Sequence, residues 1–478
     1  MTVLHQHNEK TDDNYDVIVI GSGPAGQKAA VQAAKLGQRV ALIERDRYLG
    51  GACVHRGTIP SKTLRENAMR ISHLRANAKL AQSNFALTDN FEMSILIDRL
   101  DDVLMAHDQF MERQIKRNHI ERIHGRAAFV DEHHIEVTIH RQAPRTLCAD
   151  KVIIATGSYP RTPDHIPIDH EHIYDSDSIL SMLYLPKSLV VLGGGVIASE
   201  YASIFQALDV QVTMIDKYPT PLGFLDSDLT DKFVHAYEAM GGTWMGSCNV
   251  TKAYWDGQCV VTEIEGQEPI KSEKLLCAAG RLANVGDLAL DKAGLSLNER
   301  GLISVDDKLQ TQVPSIFAAG DVIGPPALAS TSMEQGRRAS CNALGKAVGD
   351  MGSLIPTGIY GIPELSAVGL NEKSAREQYG DIMIGKAVFE EIARGQISGI
   401  QDGMLKIICD GEGKKVLGVM IVGEGATELI HIGQMALLAN ADVDIFVESI
   451  FNFPTLAEAY RVAALGIIGQ RGKKADSF

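Results

Sequence analysis

A glycine-rich pattern that occurs twice constrains the fold of this chain more than any other feature of its sequence. In the first copy, an apolar run over residues 15–20 ends in residues 21–26 (GSGPAG), and an alanine-rich stretch continues to Gly37. In the second copy, the apolar run over residues 188–192 ends in residues 193–198 (GGGVIA). A short β-branched run, a glycine turn and an alanine-rich stretch predict a strand, a tight turn and a helix.

The three glycines of the first copy have separate tasks. Gly21 permits the tight turn, Gly23 lets the backbone approach a pyrophosphate, and Gly26 lets the helix pack on the strand. The N-terminus of the helix favours an anion, because its first N–H groups have no acceptor inside the helix. A second apolar run, over residues 39–43, leads to Glu44 at nearly the spacing where a carboxylate meets a ribose hydroxyl. This copy therefore predicts a bound dinucleotide.

The second copy repeats each of these features. Gly193 and Gly195 occupy the positions of the first two glycines, and Ala198 fills the position of the third. A strand predicted over residues 211–215 ends in Asp216, the second carboxylate. Two glycine turns of a generic α/β protein would match only by coincidence, so we expect two bound dinucleotides.

Three further predicted strands end in small-residue turns, at Thr156-Gly157, at Gly280-Arg281 and at Gly320-Asp321. Turns of this kind bring the backbone close to a ligand, and Asp321 could accept hydrogen bonds from sugar-alcohol hydroxyls. A strand followed by glycine is common in any α/β sheet, so each turn alone is only suggestive.

From Pro356 onward the pattern changes. Short β-rich runs over residues 405–409 and 415–422 precede a helical stretch over residues 426–438, which predicts a separate α+β domain. We therefore expect an α/β fold with two Rossmann-like dinucleotide-binding domains and a C-terminal α+β domain.

The composition argues against several partners. A formal net charge of −14 and a pI near 5.5 would repel nucleic acids and anionic membranes. No apolar run is long enough to span a membrane, and residues 1–14 are too polar for a signal peptide, so we expect a cytoplasmic protein. The seven cysteines form no CxxC pair and, with the dispersed histidines, no metal-ligand spacing, so we expect reduced thiols and no metal site.

Over essentially the whole chain after residue 14, these motifs resemble the two-dinucleotide-binding disulfide reductase flavoproteins, the family of glutathione reductase and dihydrolipoamide dehydrogenase. The resemblance implies FAD, tightly bound, on the first copy, with residues 311–321 completing its site, and NAD(P)(H) on the second. It also implies a homodimer through the C-terminal domain, with larger homo-oligomers left open. The expected organisation is a disordered tail at residues 1–14, an FAD-binding domain at 15–160 and 283–350, an NAD(P)-binding domain at 161–282 and a dimerisation domain at 351–478.

The sequence departs from these disulfide reductases at two positions. Members of the family carry two redox cysteines, and here Cys53 matches the first, whereas Thr58 stands at the second, flavin-proximal one. Members also carry an acid/base histidine before a C-terminal proline, and here that residue is Phe453. A hydroxyl cannot cycle as a dithiol and a phenyl ring cannot shuttle protons. Electrons must therefore leave the flavin by another route.

The combination of Cys53 with residues 57–62 (GTIPSK) and residues 452–455 (NFPT) is similar to the soluble, FAD-dependent, Si-specific pyridine nucleotide transhydrogenases. This similarity implies a ping-pong exchange of hydride between NADPH and NAD+, or between NADH and NADP+, without a redox-active disulfide. Two alternatives stay open: an NAD(P)H-dependent flavin reductase or diaphorase that passes electrons to a quinone, a metal ion or oxygen, and a sensor or interaction protein that binds flavin and NAD.

The resemblance also implies roles for individual residues. Lys62, expected at the start of a helix after a Pro-Ser turn, and Glu200 are the catalytic candidates, as an ion pair near flavin N5; a buried salt bridge that only fixes a domain interface is the alternative. Cys53 is interpreted as an FAD-pocket or packing residue. In residues 328–334 a loop enters a helix with Ser330 to Ser332 as caps, and its N-terminus either faces flavin N1 or begins an ordinary capped core helix.

Asp216 should favour NAD, because a carboxylate accepts ribose hydroxyls and repels a 2′-phosphate. Lys217 beside it is the cation that would offset this repulsion for NADP(H). The candidate cofactor contacts are Gly21, Gly23, Gly26, Glu44, Gly51, Cys53, Thr58, Lys62, Ala127, Thr156, Gly157, Gly320, Asp321, Ala329, Gly193, Gly195, Ala198, Asp216, Lys217 and Gly280.

Overall fold

The computed structural model describes residues 13–80, 93–400 and 402–475. Most of the predicted disordered tail at residues 1–14 therefore lies outside the described residues. Asn14 is already part of the first strand, because it pairs with Cys148 of a neighbouring strand. Among the described helices, none is both long and apolar enough to cross a membrane.

The first third of the chain alternates strands and helices and then continues as a run of strands. Its elements in chain order are β1 (Asn14–Ile20), α1 (Pro24–Lys35), β2 (Val40–Glu44), α2 (Gly51–His55), α3 (Thr58–Leu80), α4 (Met93–Arg117), β3 (Glu121–His124), β4 (Arg126–Phe129), β5 (His134–Thr138), β6 (Arg145–Ile154) and β7 (Ser158–Pro160).

The middle of the chain repeats the alternation and closes with short strands. Its elements are β8 (Ile173–Asp175), β9 (Ser188–Leu192), α5 (Val196–Ala207), β10 (Gln211–Ile215), α6 (Ser227–Ala239), β11 (Thr243–Met245), β12 (Val250–Trp255), β13 (Val260–Ile264), β14 (Ile270–Ser272), β15 (Lys274–Cys277), β16 (Arg281–Ala283), β17 (Ile316–Ala318) and α7 (Ala329–Ala343).

The last part of the chain is rich in antiparallel strands. Its elements are β18 (Thr357–Ile359), β19 (Leu365–Gly369), α8 (Glu372–Tyr379), β20 (Ile382–Val388), α9 (Ala393–Ser398), β21 (Met404–Asp410), β22 (Val416–Val422), α10 (Ala426–Leu438), α11 (Ile445–Glu448) and α12 (Glu458–Ala475). The predicted strands and helix of this part are present, with strand ends shifted by one residue.

Contacts group the chain into two compact units. The first comprises Met1–Ser61, Ile97–Arg161 and Arg281–Met351, and the second comprises Lys62–Leu96, Thr162–Gly280 and Gly352–Phe478. The second unit thus contains both the second glycine motif and the C-terminal strands. The predicted boundaries of separate domains within it stay a prediction.

In the first unit, a sheet of order β3-β2-β1-β6-β5-β4 forms the core, and β17 pairs with β6. Strands β3, β2, β1 and β6 are parallel neighbours. Val17 and Val19 pack into one apolar cluster with α1, whereas Ile18 and Ile20 pack into another on the opposite face. A parallel strand that is buried on both faces must be continuously apolar, which explains the run that precedes the first glycine turn.

In the second unit, one sheet has the strand order β11-β10-β9-β15-β8. Its strands β11, β10, β9 and β15 follow one another as β3, β2, β1 and β6 do in the first unit, and β8 lies at the edge beside β15. A further sheet, β18-β19-β22-β21-β20, is antiparallel throughout and packs against α10 and α12. The predicted fold class, two Rossmann-like units and a C-terminal α+β part, is confirmed.

The expected start of the helix that carries Lys62 is wrong. Helix α3 begins at Thr58, so Pro60 and Ser61 lie in its first turn and Lys62 is the fifth helical residue. Proline is tolerated there, because the N–H groups of a first helical turn have no intrahelical acceptor to lose.

A buried lysine joins three elements of the second unit. The Nζ of Lys406, on β21, is fully buried and donates to Asp226 at the N-terminus of α6 (2.9 Å), to Asp228 in α6 (3.0 Å) and to Glu372 in α8. These carboxylates are, among the described residues, the one group close enough to hold a metal ion. The ammonium of Lys406 already takes the place of a cation.

The charges in this cluster shift two pKa values. Burial would raise the pKa of Asp228, but hydrogen bonds and charge from Lys386 and Lys406 lower it below the ordinary 3.8. Burial would lower the pKa of Lys406, but its carboxylate partners raise it above 10.5. Asp228 therefore stabilises the fold above the pKa of an unfolded aspartate, and this contribution is lost as the pH falls. The contribution of Lys406 is lost only as the pH rises beyond its raised value.

We predict that Lys406→Met lowers the free energy of unfolding by about 3 kcal/mol at neutral pH, because it removes the buried cation that three carboxylates share. The loss should shrink at acidic pH as Asp228 becomes protonated, because a neutral carboxyl group no longer needs the ammonium of Lys406. Urea unfolding followed by circular dichroism measures both. Lys373→Met, at an exposed position of α8, is the control and should change the stability by less than about 0.5 kcal/mol. Equal stability of the two variants would contradict the prediction.

Candidate active site

The first glycine turn closes tightly between β1 and α1. Gly21 has a φ of +97°, and a Cβ there would lie 2.4 Å from the carbonyl oxygen of Ala155. A Cβ on Gly26 would lie 1.8 Å from the carbonyl oxygen of Gly21. By contrast, a Cβ on Gly23 would meet no atom within 4 Å, and Gly23 precedes α1 without any side-chain cap. The turn therefore leaves open space and free N–H groups at the helix N-terminus, as an anionic ligand requires.

The carboxylate of Glu44 fastens this turn to the end of β2. Its Oε2 accepts from the N–H and the hydroxyl of Ser22 (2.9 and 2.6 Å), and its Oε1 accepts from the N–H of Asp46 (2.9 Å). Glu44 is buried. A carboxylate oxygen has two lone pairs, so Oε1 retains one for a ribose hydroxyl. Glu44 therefore lies beside the glycine turn, and its contact with a ribose stays a prediction.

Helix α2 approaches the same turn from another side. A Cβ on Gly51 would lie 3.0 Å from the Cα of Gly23, so only glycine allows this approach. Cys53 lies in α2, partly exposed, and like the other six cysteines it forms no disulfide. Thr58 is exposed at the first position of α3.

A chain of hydrogen bonds holds the turn after β6. The guanidinium of Arg281 donates to the hydroxyl of Ser158 (2.9 Å), and this hydroxyl donates to Oδ2 of Asp321 (2.7 Å). Asp321 follows Gly320, whose φ is +84°. Thr156 and Gly157 occupy the intervening turn, and the buried Oγ1 of Thr156 has no hydrogen-bond partner among the described residues.

The expected serine caps of α7 are wrong. Leu328 is the N-cap residue, in extended conformation and without a side-chain hydrogen bond, and the helix begins at Ala329. Ser330 and Ser332 therefore lie inside the first turn of the helix, and neither occupies the N-cap position that precedes it. Thr331, between them, is buried, and its Oγ1 has no hydrogen-bond partner among the described residues. An uncapped helix N-terminus thus coincides with a buried, unpartnered hydroxyl.

Ala127 contributes differently from the other candidates. Its side chain is buried in the core of the first unit, on β4 opposite Val137. Only its backbone is available to a ligand.

The first unit fits FAD by the chemistry of these groups. It offers an open helix N-terminus at Gly23 for a pyrophosphate and a held carboxylate for a ribose. The two buried hydroxyls of Thr156 and Thr331 can donate to or accept from a polar ligand. Buried polar atoms are normally hydrogen-bonded, so such orphans mark places where a cofactor supplies the partner.

The second glycine turn has the same construction. Gly193 has a φ of +121°, and a Cβ there would lie 2.7 Å from the carbonyl oxygen of Ala278. A Cβ on Gly195, the N-cap residue of α5, would meet nothing within 4 Å. Ala198 is fully buried, so its methyl group is tolerated at the third-glycine position. A Cβ on Gly280, beyond β15, would also meet open space.

Asp216 repeats the role of Glu44 after β10. Its Oδ2 accepts from the N–H of Gly194, and its Oδ1 accepts from the N–H of Tyr218 (2.9 Å). Lys217 lies with its Nζ 5.0 Å from the centroid of the Tyr218 ring, which is 61% exposed. The first glycine turn with Glu44 is here called the first cradle, and the second glycine turn with Asp216 is called the second cradle. The second cradle thus presents a fixed carboxylate with spare lone pairs and an adjacent cation on the surface.

Lys62 and Glu200 form the expected ion pair. Nζ of Lys62, on α3, lies 2.5 Å from Oε2 of Glu200, on α5, and the two side chains are 25% and 6% exposed. The other oxygen of Glu200 accepts from the N–H of Tyr360 (2.8 Å), and Lys62 Nζ lies 4.9 Å from the centroid of the Tyr360 ring. A charge pair this enclosed requires such additional partners.

Sequence reasoning missed two of these residues. Ser22 is a variable position of the glycine motif, yet its hydroxyl donates a hydrogen bond to Glu44. The sequence did contain a signal for Ser22, because a hydroxyl beside the glycine turn can donate a hydrogen bond to the acid that the motif already requires. Tyr360 contacts Glu200 across 160 residues of sequence, and no local pattern indicates such a contact.

Comparison with known proteins agrees with this geometry. A family model described as pyridine nucleotide-disulphide oxidoreductase matches residues 15–336, and a model described as the dimerisation domain of the same family matches residues 355–464. A soluble pyridine nucleotide transhydrogenase of Mycobacterium bovis (strain BCG / Pasteur 1173P2) is 41% identical over 457 residues, which cover 95% of this chain and 97% of the relative. A soluble pyridine nucleotide transhydrogenase of Salmonella paratyphi B is 39% identical over 456 residues, with the same coverage.

Solved structures show the same fold at lower identity. The HOCl-induced flavoprotein disulfide reductase RclA of Escherichia coli, in a Cu(II) complex, matches with a TM-score of 0.86 and 28% identity over 95% of this chain and 99% of its own. LpdA of Mycobacterium tuberculosis matches with a TM-score of 0.87 and 25% identity over 94% of this chain and 99% of its own.

We predict that Gly195→Val weakens the binding of NADH about tenfold or more without lowering the thermal unfolding midpoint. The backbone at Gly195 is extended, and the added side chain meets only the space where the pyrophosphate belongs. Gly193→Val is the contrast: its φ and the nearby Ala278 carbonyl should lower stability by about 2 kcal/mol. Calorimetric titration and thermal unfolding measure the two effects. Normal NADH binding by Gly195→Val would rule out this cradle.

Proposed function

The chain belongs to the pyridine nucleotide-disulphide oxidoreductase family, and on this basis we propose that it is a transhydrogenase that exchanges hydride between NADPH and NAD+ through FAD by a ping-pong, Si-specific mechanism. The observation that carries the proposal is the combination of two intact dinucleotide cradles with Thr58 at the position of the second redox cysteine. The second cradle supports entry and exit of nicotinamide nucleotides at one site. A disulfide route would need a second thiol, and Thr58 does not supply one.

FAD supplies a ring that accepts hydride from one nicotinamide and returns it to another. The residues of the chain bind and orient the partners. The first glycine turn and Glu44 hold the FAD, and the second glycine turn and Asp216 hold NADPH and NAD+ in succession. Because one cradle serves both nucleotides, the first product must leave before the second substrate binds, which is the ping-pong order.

Lys62 and Glu200 are the proposed catalytic residues. Lys62 follows Thr58 by four residues in the same helix, the spacing at which helical side chains share a face. The pair places a positive charge beside a buried carboxylate, an arrangement that influences the flavin by electrostatics rather than by proton relay. The alternative, a purely structural salt bridge, predicts no change in hydride transfer when its geometry is altered.

The acid/base group of the disulfide reductases is also replaced. Phe453 stands at that position and is 70% exposed in this chain. A phenyl ring has no titratable proton. Cys53 forms no disulfide, and we assign it to the FAD pocket or to packing rather than to nucleophilic chemistry.

Nucleotide selectivity is assigned to Asp216 and Lys217. The carboxylate of Asp216 favours the ribose hydroxyls of NAD and repels the 2′-phosphate of NADP by about 4 kcal/mol at 4 Å and an effective dielectric constant near 20. Lys217 is adjacent and exposed on a loop, so its ammonium can reach a phosphate and offset part of this repulsion.

The match of residues 355–464 to a dimerisation domain supports assembly as a homodimer. Large apolar side chains are exposed in this part of the chain, among them Ile450, Phe453, Met435 and Leu438. Such side chains are expected where a second copy covers them. We also propose that the protein acts in the cytoplasm, where both nicotinamide pools are available.

We predict continuous turnover when FAD-loaded protein receives NADPH and an oxidised thio-analogue of NAD without oxygen. Initial rates at several concentrations of both nucleotides should give parallel double-reciprocal lines, because the first product leaves before the second substrate binds. A general flavin reductase would wait for another acceptor, and a sensor would stop after one reduction. Either result would contradict the proposed function.

We predict that Lys217→Ala raises the Michaelis constant for NADPH about fivefold to tenfold and leaves that for NADH within about twofold, since only NADPH carries the 2′-phosphate. Lys252→Ala is a matched control, because Lys252 also lies over a neighbouring tyrosine, 4.8 Å from the ring centroid of Tyr254. The control should change neither constant. Equal effects of Lys217→Ala on both nucleotides would show that Lys217 does not read the phosphate.

A further inference from the structure

A short segment at residues 360–362, here called the strap, is hydrogen-bonded to two helices of the second unit. The N–H of Tyr360 donates to Oε1 of Glu200 (2.8 Å), and the N–H of Ile362 donates to the hydroxyl of Ser203 (3.0 Å), one turn further along α5. On the other side, Nε of Arg65, on α3, donates to the carbonyl oxygen of Gly361 (3.1 Å). The strap is therefore fixed to both helices that carry the ion pair.

The Tyr360 ring contributes a second contact to the same ion pair. The Nζ of Lys62 lies 4.9 Å from its centroid, inside the range of a cation–π interaction. The ammonium thus has a carboxylate oxygen of Glu200 at 2.5 Å and an aromatic face beside it. One residue contacts both members of the pair, Glu200 through its backbone and Lys62 through its ring.

Further polar contacts join the neighbours of the strap. Arg65 forms a salt bridge with Glu364 (2.8 Å), and Glu364 accepts from the N–H and the hydroxyl of Thr427 (3.2 and 2.9 Å) at the start of α10. Burial raises the pKa of Tyr360, an effect that the Thr427 hydroxyl opposes in part. Tyr360 therefore stays a neutral phenol, and its ring remains an unchanged partner for a cation.

These contacts form a closed circuit. It runs from Lys62 through Glu200 and Tyr360 to the strap, and returns through Arg65 to α3, three residues after Lys62. A lysine side chain has several rotatable bonds and is not oriented by a single ion pair. With a carboxylate, a ring face and a fixed strap around it, the ammonium is restricted to one position.

We propose that Tyr360 is a positioning residue for hydride transfer, because it holds the Lys62 ammonium and the Glu200 carboxylate in one fixed geometry. The inference rests on the proposed function only in naming hydride transfer as the step that benefits. Groups that act on a transition state must be held within a fraction of an ångström by their surroundings, and Tyr360 supplies that support here. The ring of Tyr360, rather than its hydroxyl, contacts Lys62.

The variants follow from this distinction. Tyr360→Leu removes the ring but keeps the backbone N–H that donates to Glu200. Tyr360→Phe keeps the ring and removes only the hydroxyl. Tyr379→Leu is a matched control in α8, because Lys415 lies 5.8 Å from the centroid of the Tyr379 ring, away from the strap. Thermal unfolding establishes that each variant is folded.

The first experiment measures the reduction of FAD-loaded protein by NADH in anaerobic stopped flow. Tyr360→Leu should slow the reduction about tenfold, because the ammonium loses the aromatic face that holds it in position. Tyr360→Phe should retain at least about half of the rate, and Tyr379→Leu should match the unchanged protein. An unaltered rate in Tyr360→Leu, or an equal loss in Tyr360→Phe, would overturn the proposal.

The second experiment needs no cofactor. Competitive acetylation of the protein, quantified by mass spectrometry, reports the reactivity of each lysine separately. Lys62 should be acetylated about threefold or more faster in Tyr360→Leu than in Tyr360→Phe at one pH, because the side chain is only 25% exposed and loss of the ring opens its amino group to the reagent. Equal labelling of Lys62 in both variants would overturn the proposal.

Failure of this inference is distinct from failure of the proposed function. Both experiments use either the half-reaction with NADH or the chemistry of Lys62, and neither requires transfer to a second nucleotide. A protein that does not exchange hydride between NADPH and NAD+ can still show the Tyr360 effect. Conversely, an active transhydrogenase without that effect would rule out the positioning role of Tyr360 and leave the proposed function intact.

Discussion

The ion pair between Lys62 and Glu200 is the interaction on which the account of this site depends. A lone pair of opposite charges gains little from partial burial, because desolvation offsets most of the attraction. This pair has further partners, since the free oxygen of Glu200 accepts from the Tyr360 backbone and Lys62 lies against the Tyr360 ring. Removing one member would leave the other charge enclosed and unpaired, at a cost of about 3–5 kcal/mol. The arrangement holds a charge in one position, as the proposed role in hydride transfer requires.

The two dinucleotide cradles are built on one plan with one difference. In each, the acid at the end of the second strand accepts from the backbone of the glycine turn and from the N–H two residues further on. Glu44 is longer and also bonds the Ser22 hydroxyl, which closes the first cradle more firmly. Among the described residues, Asp216 accepts hydrogen bonds from the backbone alone, and the neighbouring side chains of Lys217 and Tyr218 are exposed to solvent. This difference is in keeping with a first cradle that retains its FAD and a second cradle that exchanges its nucleotides.

Much of this arrangement can be predicted from the sequence, and the reasons are local. The glycine turns follow from steric limits on backbone conformation, the strands from continuous apolar runs, and both acids from their spacing. The start of α3 could not be predicted correctly, because Pro60 reads equally as a turn residue and as part of a first helical turn. The caps of α7 failed for a similar reason, since serines near a helix start serve as caps only outside the first turn. The role of Tyr360 depends on contacts between distant segments, which periodicity does not encode.

Thr58 and Phe453 determine which chemistry remains to the protein. Under the proposed function, the flavin is the two-electron centre of the site, and reducing equivalents return from it to a nicotinamide. Anaerobic titration of FAD-loaded protein with NADPH tests this claim most directly. The account predicts that one equivalent of NADPH per FAD completes the reduction and that lipoamide and glutathione disulfide do not reoxidise the protein. Uptake of a second equivalent would contradict it, because a disulfide is itself a two-electron couple. Rapid reoxidation by either disulfide would contradict it equally.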